Sequence, residues 1–480
     1  MHMWTRITKH KGSAYQQIMD QILKKIENGQ LQPGDKLPSE RMFADFFGVN
    51  RTTVVHALDE LRGLGILESR QGSGRFISSV TWGDFSEPRI DWRQLISARY
   101  DKIVDSYGEK VKEASRKSDF LDLYSSEMPL DVLPNMKMPN YTLEGILKEE
   151  QAVSVFGYQP LMAQIRERLI RNNGFSFKKS QLLITGGGQQ AIFLILQTIL
   201  SVGDAIAVES PTFFYRLPLF KALGTRLFGI PMDDQGIDLE KLEEAIHKHK
   251  IKAVLVNPNF QNPTGTVMAA ERRQRLVALC RKYQLPIIED DVFADLAFSP
   301  EKQEAITPIH VIDPENVLYV GSLSRLLGET TKIGWIVGPT ILIQRLSEAQ
   351  KMMDVSLSIF TQMAATAVFD SSFDQNMASL CQRLEKNSQL LRSWVDSQDF
   401  FHLAPLAGGY YGWLTWEGEK FTKVLAERLL REGLGVAPGY LFGEDIGLRI
   451  NYSRMSPDDL PLFVSRMDKL RTWLEAKEKQ

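Results

Sequence analysis

Cysteine is nearly missing. The 480 residues hold two, Cys280 and Cys381, far apart and without metal-ligand spacing. That excludes a disulfide framework or a cysteine zinc site and points to two buried thiols in a reducing compartment. Long apolar runs are missing as well: the most hydrophobic stretch, AIFLILQTILSVGDAIAV, is broken by Gln197, Gly203 and Asp204 and reads as a helix, a turn and a strand, not a membrane span. The first residues, MHMWTRITKHKG, lack the apolar core of a signal peptide, so the expectation is a cytoplasmic protein. Excess charge of one sign is also absent. With 57 Lys and Arg against 59 Asp and Glu, the net of −2 argues against wholesale coating of nucleic acid. No internal repeat or low-complexity tract is present.

What is present is length and local pattern. A chain of 480 residues exceeds one ordinary core, so at least two domains are expected, one of them a large α/β unit. Residues 1–78 carry 11 Lys and Arg against 8 Asp and Glu, a net of +3 on an otherwise acidic chain, compatible with a small DNA-touching module. Tyr15, Ile18, Ile22 and Ile26 recur about one helical turn apart, and Gly29 with Pro33-Gly34 ends that helix. A second helix is expected after Pro38 with Ser39 as N-cap, then a turn at Gly48 and a third helix from about Arg51 to Leu64. ILESRQGSGRFIS supplies two short strands around Gly72-Ser73-Gly74, a wing. In such an arrangement Asn50, Arg51, Thr52 and Thr53, opening the third helix, reach base edges and phosphates, while Arg41, Gly72 and Arg75 meet the backbone. Taken singly, any of these could be a solvated surface residue. Together, LPSER, RTTV, the AL…L…G run and the Gly-rich wing resemble the winged helix-turn-helix of the GntR family. The resemblance implies operator DNA as a partner.

Residues 79–118 are charged, with helical patches and no strand pattern, and read as a linker. Residues 119–480 alternate apolar strands (AIAVES, AVLVNP, PIIED, VLYVG, IGWIVG) with helical patterns, which predicts a mostly parallel sheet with helices on both faces. Ligands of such sheets sit at the carboxyl ends of the strands. There ITGGGQQ offers Gly188 and Gln189 at a helix start, where free N–H groups can receive a phosphate. Phe213 could stack on a flat ring, Asn262 could donate from its amide, Asp290 could pair with a protonated pyridine nitrogen, and Arg449 could fork a carboxylate. Each alone has an ordinary structural explanation. In this order and spacing they resemble fold-type I, class I aminotransferases, and with the winged helix in front the chain resembles the MocR subgroup of GntR regulators. The resemblance implies pyridoxal 5'-phosphate, a large domain, a smaller C-terminal α/β subdomain at about 370–480, and a head-to-tail homodimer.

The pattern then breaks. The family's loop carries a Schiff-base lysine after Ser-x-Ser and, seven residues on, an arginine for the cofactor phosphate. Here Ser322 and Ser324 stand, followed by Arg325 in the lysine position and Lys332 in the arginine position. A guanidinium stays protonated and cannot form a Schiff base. Val292 and Phe293 stand where a tyrosine for the ring oxygen is usual, and Phe156 and Leu161 replace a tyrosine and a glycine of the family pattern. The expectation is a DNA-binding transcriptional regulator, catalytically inactive, whose aminotransferase-like domain senses a small-molecule effector through Gly188, Gln189, Phe213, Asn262, Asp290, Ser322, Arg325 and Lys332, with Arg449 for a ligand carboxylate. Pyridoxal phosphate or an amino-compound adduct bound noncovalently, another anionic metabolite in its place, and attachment through Lys332 are three versions of that reading. A working aminotransferase with an attached DNA-binding module is the alternative from a different class.

Overall fold

Apolar residues at helical spacing build the first unit. The computed structural model describes residues 4–8, 13–70, 73–78, 106–133, 140–151, 153–299, 301–302, 306–327, 332–353, 357–369 and 372–477. The chain divides into two compact units, residues 1–96 and 97–480. In the first, Ile18, Ile22 and Ile26 are the buried stripe of α1 (Ala14–Glu27). Ser39 Oγ accepts from Met42 N at 3.3 Å to open α2 (Glu40–Phe47). Gly48 closes it at φ +66°, a left-handed turn that glycine adopts without a Cβ penalty. Val54, Ala57, Leu58 and Leu61 face inward on α3 (Arg51–Gly63). The wing is β1 (Leu67–Arg70) antiparallel to β2 (Gly74–Ile77), with Arg70 opposite Gly74. Trp4 closes this small core edge-on against Phe43, centroids 4.9 Å apart.

The second unit is organised by an eight-stranded sheet. Its members are β3 (Leu182–Thr185), β4 (Ala205–Ser210), β5 (Arg226–Asp233), β6 (Gly236–Ile237), β7 (Ile251–Val256), β8 (Ile287–Asp290), β9 (Val317–Ser322) and β10 (Gly334–Val337), in the spatial order β3-β10-β9-β8-β7-β4-β5-β6. The run β5-β4-β7-β8-β9 is parallel, whereas β10 is antiparallel to both its neighbours and β6 turns back on β5. Because strand side chains alternate, successive residues bury on opposite faces. Ile206, Val208, Leu255, Ile288 and Val320 join one core with Ile192 and Ile195 of α5 (Gly188–Ile199). Ala205, Ala207, Val254, Val256 and Ile287 join another with Leu242 of α6 (Leu239–His249) and Leu276 of α7 (Ala270–Lys282). Helices on both faces leave the carboxyl ends of the parallel strands as the place where chain irregularity converges.

Further along, β11 (His402–Leu403), β12 (Tyr411–Thr415), β13 (Ala437–Pro438) and β14 (Leu448–Asn451) form an antiparallel sheet in the order β11-β12-β14-β13. Helices Phe373–Asp396 and Leu460–Lys477 contribute Leu384, Leu391, Phe463 and Met467 to its core. Within the stretch read as a linker, α4 (Ser106–Ala114) packs Tyr107 and Val111 into that same core. Leu121–Asp122 then pairs in parallel with Leu434–Gly435, so the segment that follows it, 123–128, runs back towards the strand ends of the large sheet.

Candidate functional site

The loop between β3 and α5 is built by contact as much as by conformation. Gly187 takes φ +90°, and a Cβ on Gly334 would come 2.6 Å from the Gly187 carbonyl carbon, so the glycine turn lies flat on the start of β10. This turn opens a cavity of about 330 Å³ at the carboxyl ends of β3, β8 and β9. Seven of the eight residues proposed for a cofactor line it: Gly188, Gln189, Phe213, Asp290, Ser322, Arg325 and Lys332. Asn262 is close by without lining it. Its carbonyl accepts from Phe213 N at 3.1 Å and its Oδ1 accepts from Arg449 Nη1 at 3.0 Å.

Asp290 ends β8 fully buried. Burial first, and the neighbouring Asp291 second, push its carboxyl up to about 7, against the opposing pull of Arg325. Its Oδ1 is buried and has no hydrogen-bond partner among the described residues, a costly state for a carboxylate unless something is meant to meet it. Ser322 Oγ lies 3.0 Å from the Ile333 carbonyl and 3.0 Å from Ser324 Oγ, and accepts from Ser324 N at 3.1 Å. These contacts fix the first turn of the short helix Ser324–Leu327 and with it the root of Arg325.

Arg325 is half-buried and lies 5.6 Å from the Phe293 ring centroid. Burial opposes its charge, but Tyr410, Tyr411, Glu127 and Asp290 around it prevail and hold the guanidinium above its ordinary range. Nη1 reaches the Ser126 carbonyl at 3.5 Å, where Tyr411 Oη (3.0 Å) and Tyr410 Oη (3.3 Å) also donate. Arg449, the expected carboxylate fork, is outside the cavity lining. It is 1% exposed, gives Nη2 to the Tyr124 carbonyl at 2.9 Å and lies 4.1 Å from the Tyr411 ring centroid.

On the first unit, Arg41, Asn50, Arg51 and Thr52 are exposed and Thr53 is half-buried. Gly72 lies outside the described residues. Arg51, 72% exposed, donates Nε and Nη2 to Glu40 Oε2 at 3.1 and 2.9 Å. Arg75, only 15% exposed, bridges Glu40 at 3.1 Å and Asp59 at 2.8 Å. The Arg51 hydrogen bond is the main reason the Glu40 carboxyl sits below its usual range.

Residues 14–77 match the model of the bacterial regulatory proteins, gntR family, and residues 118–467 that of aminotransferase class I and II. The HTH-type transcriptional regulator YdfD of Bacillus subtilis is 31% identical over 93% of this chain and 94% of its own length. YisV of the same organism is 30% identical over 96% of each. The chain belongs to this family of helix-turn-helix transcriptional regulators with an aminotransferase-like domain. Among solved structures, the kynurenine aminotransferase of Pyrococcus horikoshii, in complex with PMP, superposes with a TM-score of 0.70 at 24% identity. The match covers 80% of this chain and 98% of that one, and it establishes the fold.

The regulator's cavity also contains residues that sequence reasoning did not single out as ligand contacts: Glu127, Met128, Leu133, Gln190 and Tyr410. Gln190 follows the Gly-Gln pair and was within reach of the motif. Tyr410 carried a signal too, an aromatic pair directly after Gly408-Gly409. Glu127 and Met128 had none, because only the fold returns their segment to the strand ends. Among the described residues no helix is long and apolar enough to cross a membrane, and no group of three or more His, Cys, Asp or Glu could hold a metal ion.

Proposed function

We propose that the aminotransferase-like domain of this regulator is a sensor without transaminase activity, holding pyridoxal 5'-phosphate or an amino-compound adduct of it by noncovalent contacts alone. The observation that carries this reading is the pairing of Asp290 Oδ1, buried and without a partner among the described residues, with an arginine where an amine nucleophile is needed, on the wall of one cavity. The ligand supplies a flat ring with a basic nitrogen and a phosphate dianion. Asp290 meets the ring nitrogen, Phe213 covers the ring, and the start of α5 with Ser322, Ser324 and Lys332 takes the phosphate, where helix N–H groups and a cation favour negative charge. Arg325 stays charged, so it neither forms the covalent link nor carries a proton to and from a substrate carbon. On the DNA side, Asn50, Arg51, Thr52 and Thr53 read the major groove and Arg41, Gly72 and Arg75 meet the backbone, in a homodimer that matches the two-fold symmetry of operator half-sites.

The test is a titration of the purified full-length protein with pyridoxal phosphate, followed by calorimetry and visible absorption. Saturable binding without the absorbance of a lysine-linked cofactor is the expected result. A band that borohydride fixes on Lys332 makes the site covalent after all. Absence of binding shows that the cavity serves another anion.

A further inference from the structure

The residue expected to recognise a ligand's carboxylate and the residue free to do so are different arginines. Arg449 is committed through both terminal nitrogens, Nη1 to Asn262 and Nη2 to the Tyr124 carbonyl, with its face against Tyr411; its buried Nε has no partner among the described residues, but the side chain has no share in the cavity wall. Arg325 is on that wall, and its one hydrogen bond among the described residues is the 3.5 Å contact to the Ser126 carbonyl. A carbonyl oxygen has two lone pairs, and Tyr411 and Tyr410 already approach this one at 3.0 and 3.3 Å. Three donors therefore compete for two acceptor sites, and the longest of the three contacts is the one most cheaply surrendered. A guanidinium that remains charged in a half-buried setting gains from a planar anion that takes two of its donors at once. Glu127, on the same wall, supports the charge of Arg325 through space and would repel such an anion.

We propose that Arg325 is the specificity-determining residue of the cavity: its guanidinium leaves the Ser126 carbonyl to grip the carboxylate of a ligand whose phosphate rests on the glycine turn. This rests on the sensor reading above and sharpens it. The ligand class becomes a phosphopyridoxyl amino acid, distinguished from the bare cofactor by its carboxylate. The arginine in place of lysine is then a gained recognition group as well as a lost nucleophile. The cavity, at about 330 Å³, is at the small end of the range of ligand sites, consistent with a short amino-acid side chain.

The experiment compares two stable probes on the full-length protein by calorimetry: N-(5'-phosphopyridoxyl)-L-alanine and N-(5'-phosphopyridoxyl)ethylamine, which differ only in the carboxylate. A charge-assisted contact predicts that wild type prefers the carboxylate probe by roughly 10-fold or more. Arg325→Gln brings the two affinities together, Arg449→Lys keeps the preference, and Glu127→Gln increases it. Retained binding of the ethylamine probe by Arg325→Gln verifies that the variant's cavity is intact. Equal binding of both probes by wild type, or a preference that survives Arg325→Gln and disappears in Arg449→Lys, overturns the proposal while leaving the sensor reading in place. If neither probe nor pyridoxal phosphate binds wild type, both fall together.

Discussion

Arg51 in the winged domain and Arg325 in the aminotransferase-like domain both stand where a ligand's negative charge is expected, yet the protein holds them in opposite ways. Arg51 is largely exposed and makes a two-donor ion pair with Glu40, which Arg75 shares. Water and salt screen such a pair, so a phosphate can replace the carboxylate at little cost. Among the described residues Arg325 has one stretched hydrogen bond, to a carbonyl that two tyrosines already approach, in a setting where burial raises the value of every charge contact. The first arrangement suits frequent exchange along a polyanion. The second suits one ligand, bound in one orientation.

The largest expected effect breaks the cavity half of this comparison. Arg325→Lys restores a group that can lose its proton, and the variant mixed with pyridoxal phosphate should gain the visible absorbance of a covalently held cofactor that wild type lacks. Next in size, Asp290→Asn removes the charge facing the ring nitrogen and should weaken pyridoxal phosphate binding by roughly 10- to 100-fold in calorimetry. The same substitution carries a stability signature. In the folded protein the Asp290 carboxyl is pushed up to about 7 from an ordinary value of 3.8, so between those values the folded state binds more protons than the unfolded chain. Its contribution is whole below the lower value and is lost as pH rises towards the upper one. Ligand-free wild type should therefore melt at progressively lower temperature from pH 4 to 7, and Asp290→Asn should flatten that decline.

Smaller effects concern DNA. Arg51→Ala should weaken binding to a short random-sequence duplex by about tenfold at low salt and lower the slope of log affinity against log salt by roughly one, with pyridoxal phosphate affinity unchanged. Glu40→Gln should do the reverse, freeing Arg51 for phosphate while Asp59 still holds Arg75. Exposed ion pairs are worth about 0.2–1 kcal/mol, so a gain of only a few-fold in duplex affinity is expected. If Glu40→Gln weakens binding, the carboxylate serves to aim Arg51 more than to occupy it.

Much of the fold was legible because local pattern and tertiary placement agree. The helix opened by Ser39, the turn at Gly48 and the strands AIAVES and VLYVG all appear where spacing and capping put them. Two features of the large sheet were not legible. In β5 the exposure pattern is mostly open, with Ile230 the one buried residue, so no run of buried positions announces a strand there. The direction of β10 depends on a chain reversal between β9 and β10, and an apolar run reads the same in either direction. In the site, the glycine turn, Asp290 and the serine loop were visible as motifs at strand ends. The commitment of Arg449 to Asn262 and Tyr124 was not, since those partners lie 187 and 325 residues away in the chain.

The sequence by itself determined the two-part architecture, the polar start of the third helix and the arginine at position 325, where the family resemblance expects a Schiff-base lysine. Helix periodicity, capping, strand-end motifs and the chemistry of guanidinium are local properties. Only the tertiary structure decided which arginine faces the cavity, because that depends on residues 124–127 returning from the beginning of the large domain to meet Arg325, Arg449 and the Tyr410–Tyr411 pair. Hydrogen-bond competition at a single carbonyl arises between groups brought together in space, and no spacing along the chain encodes it.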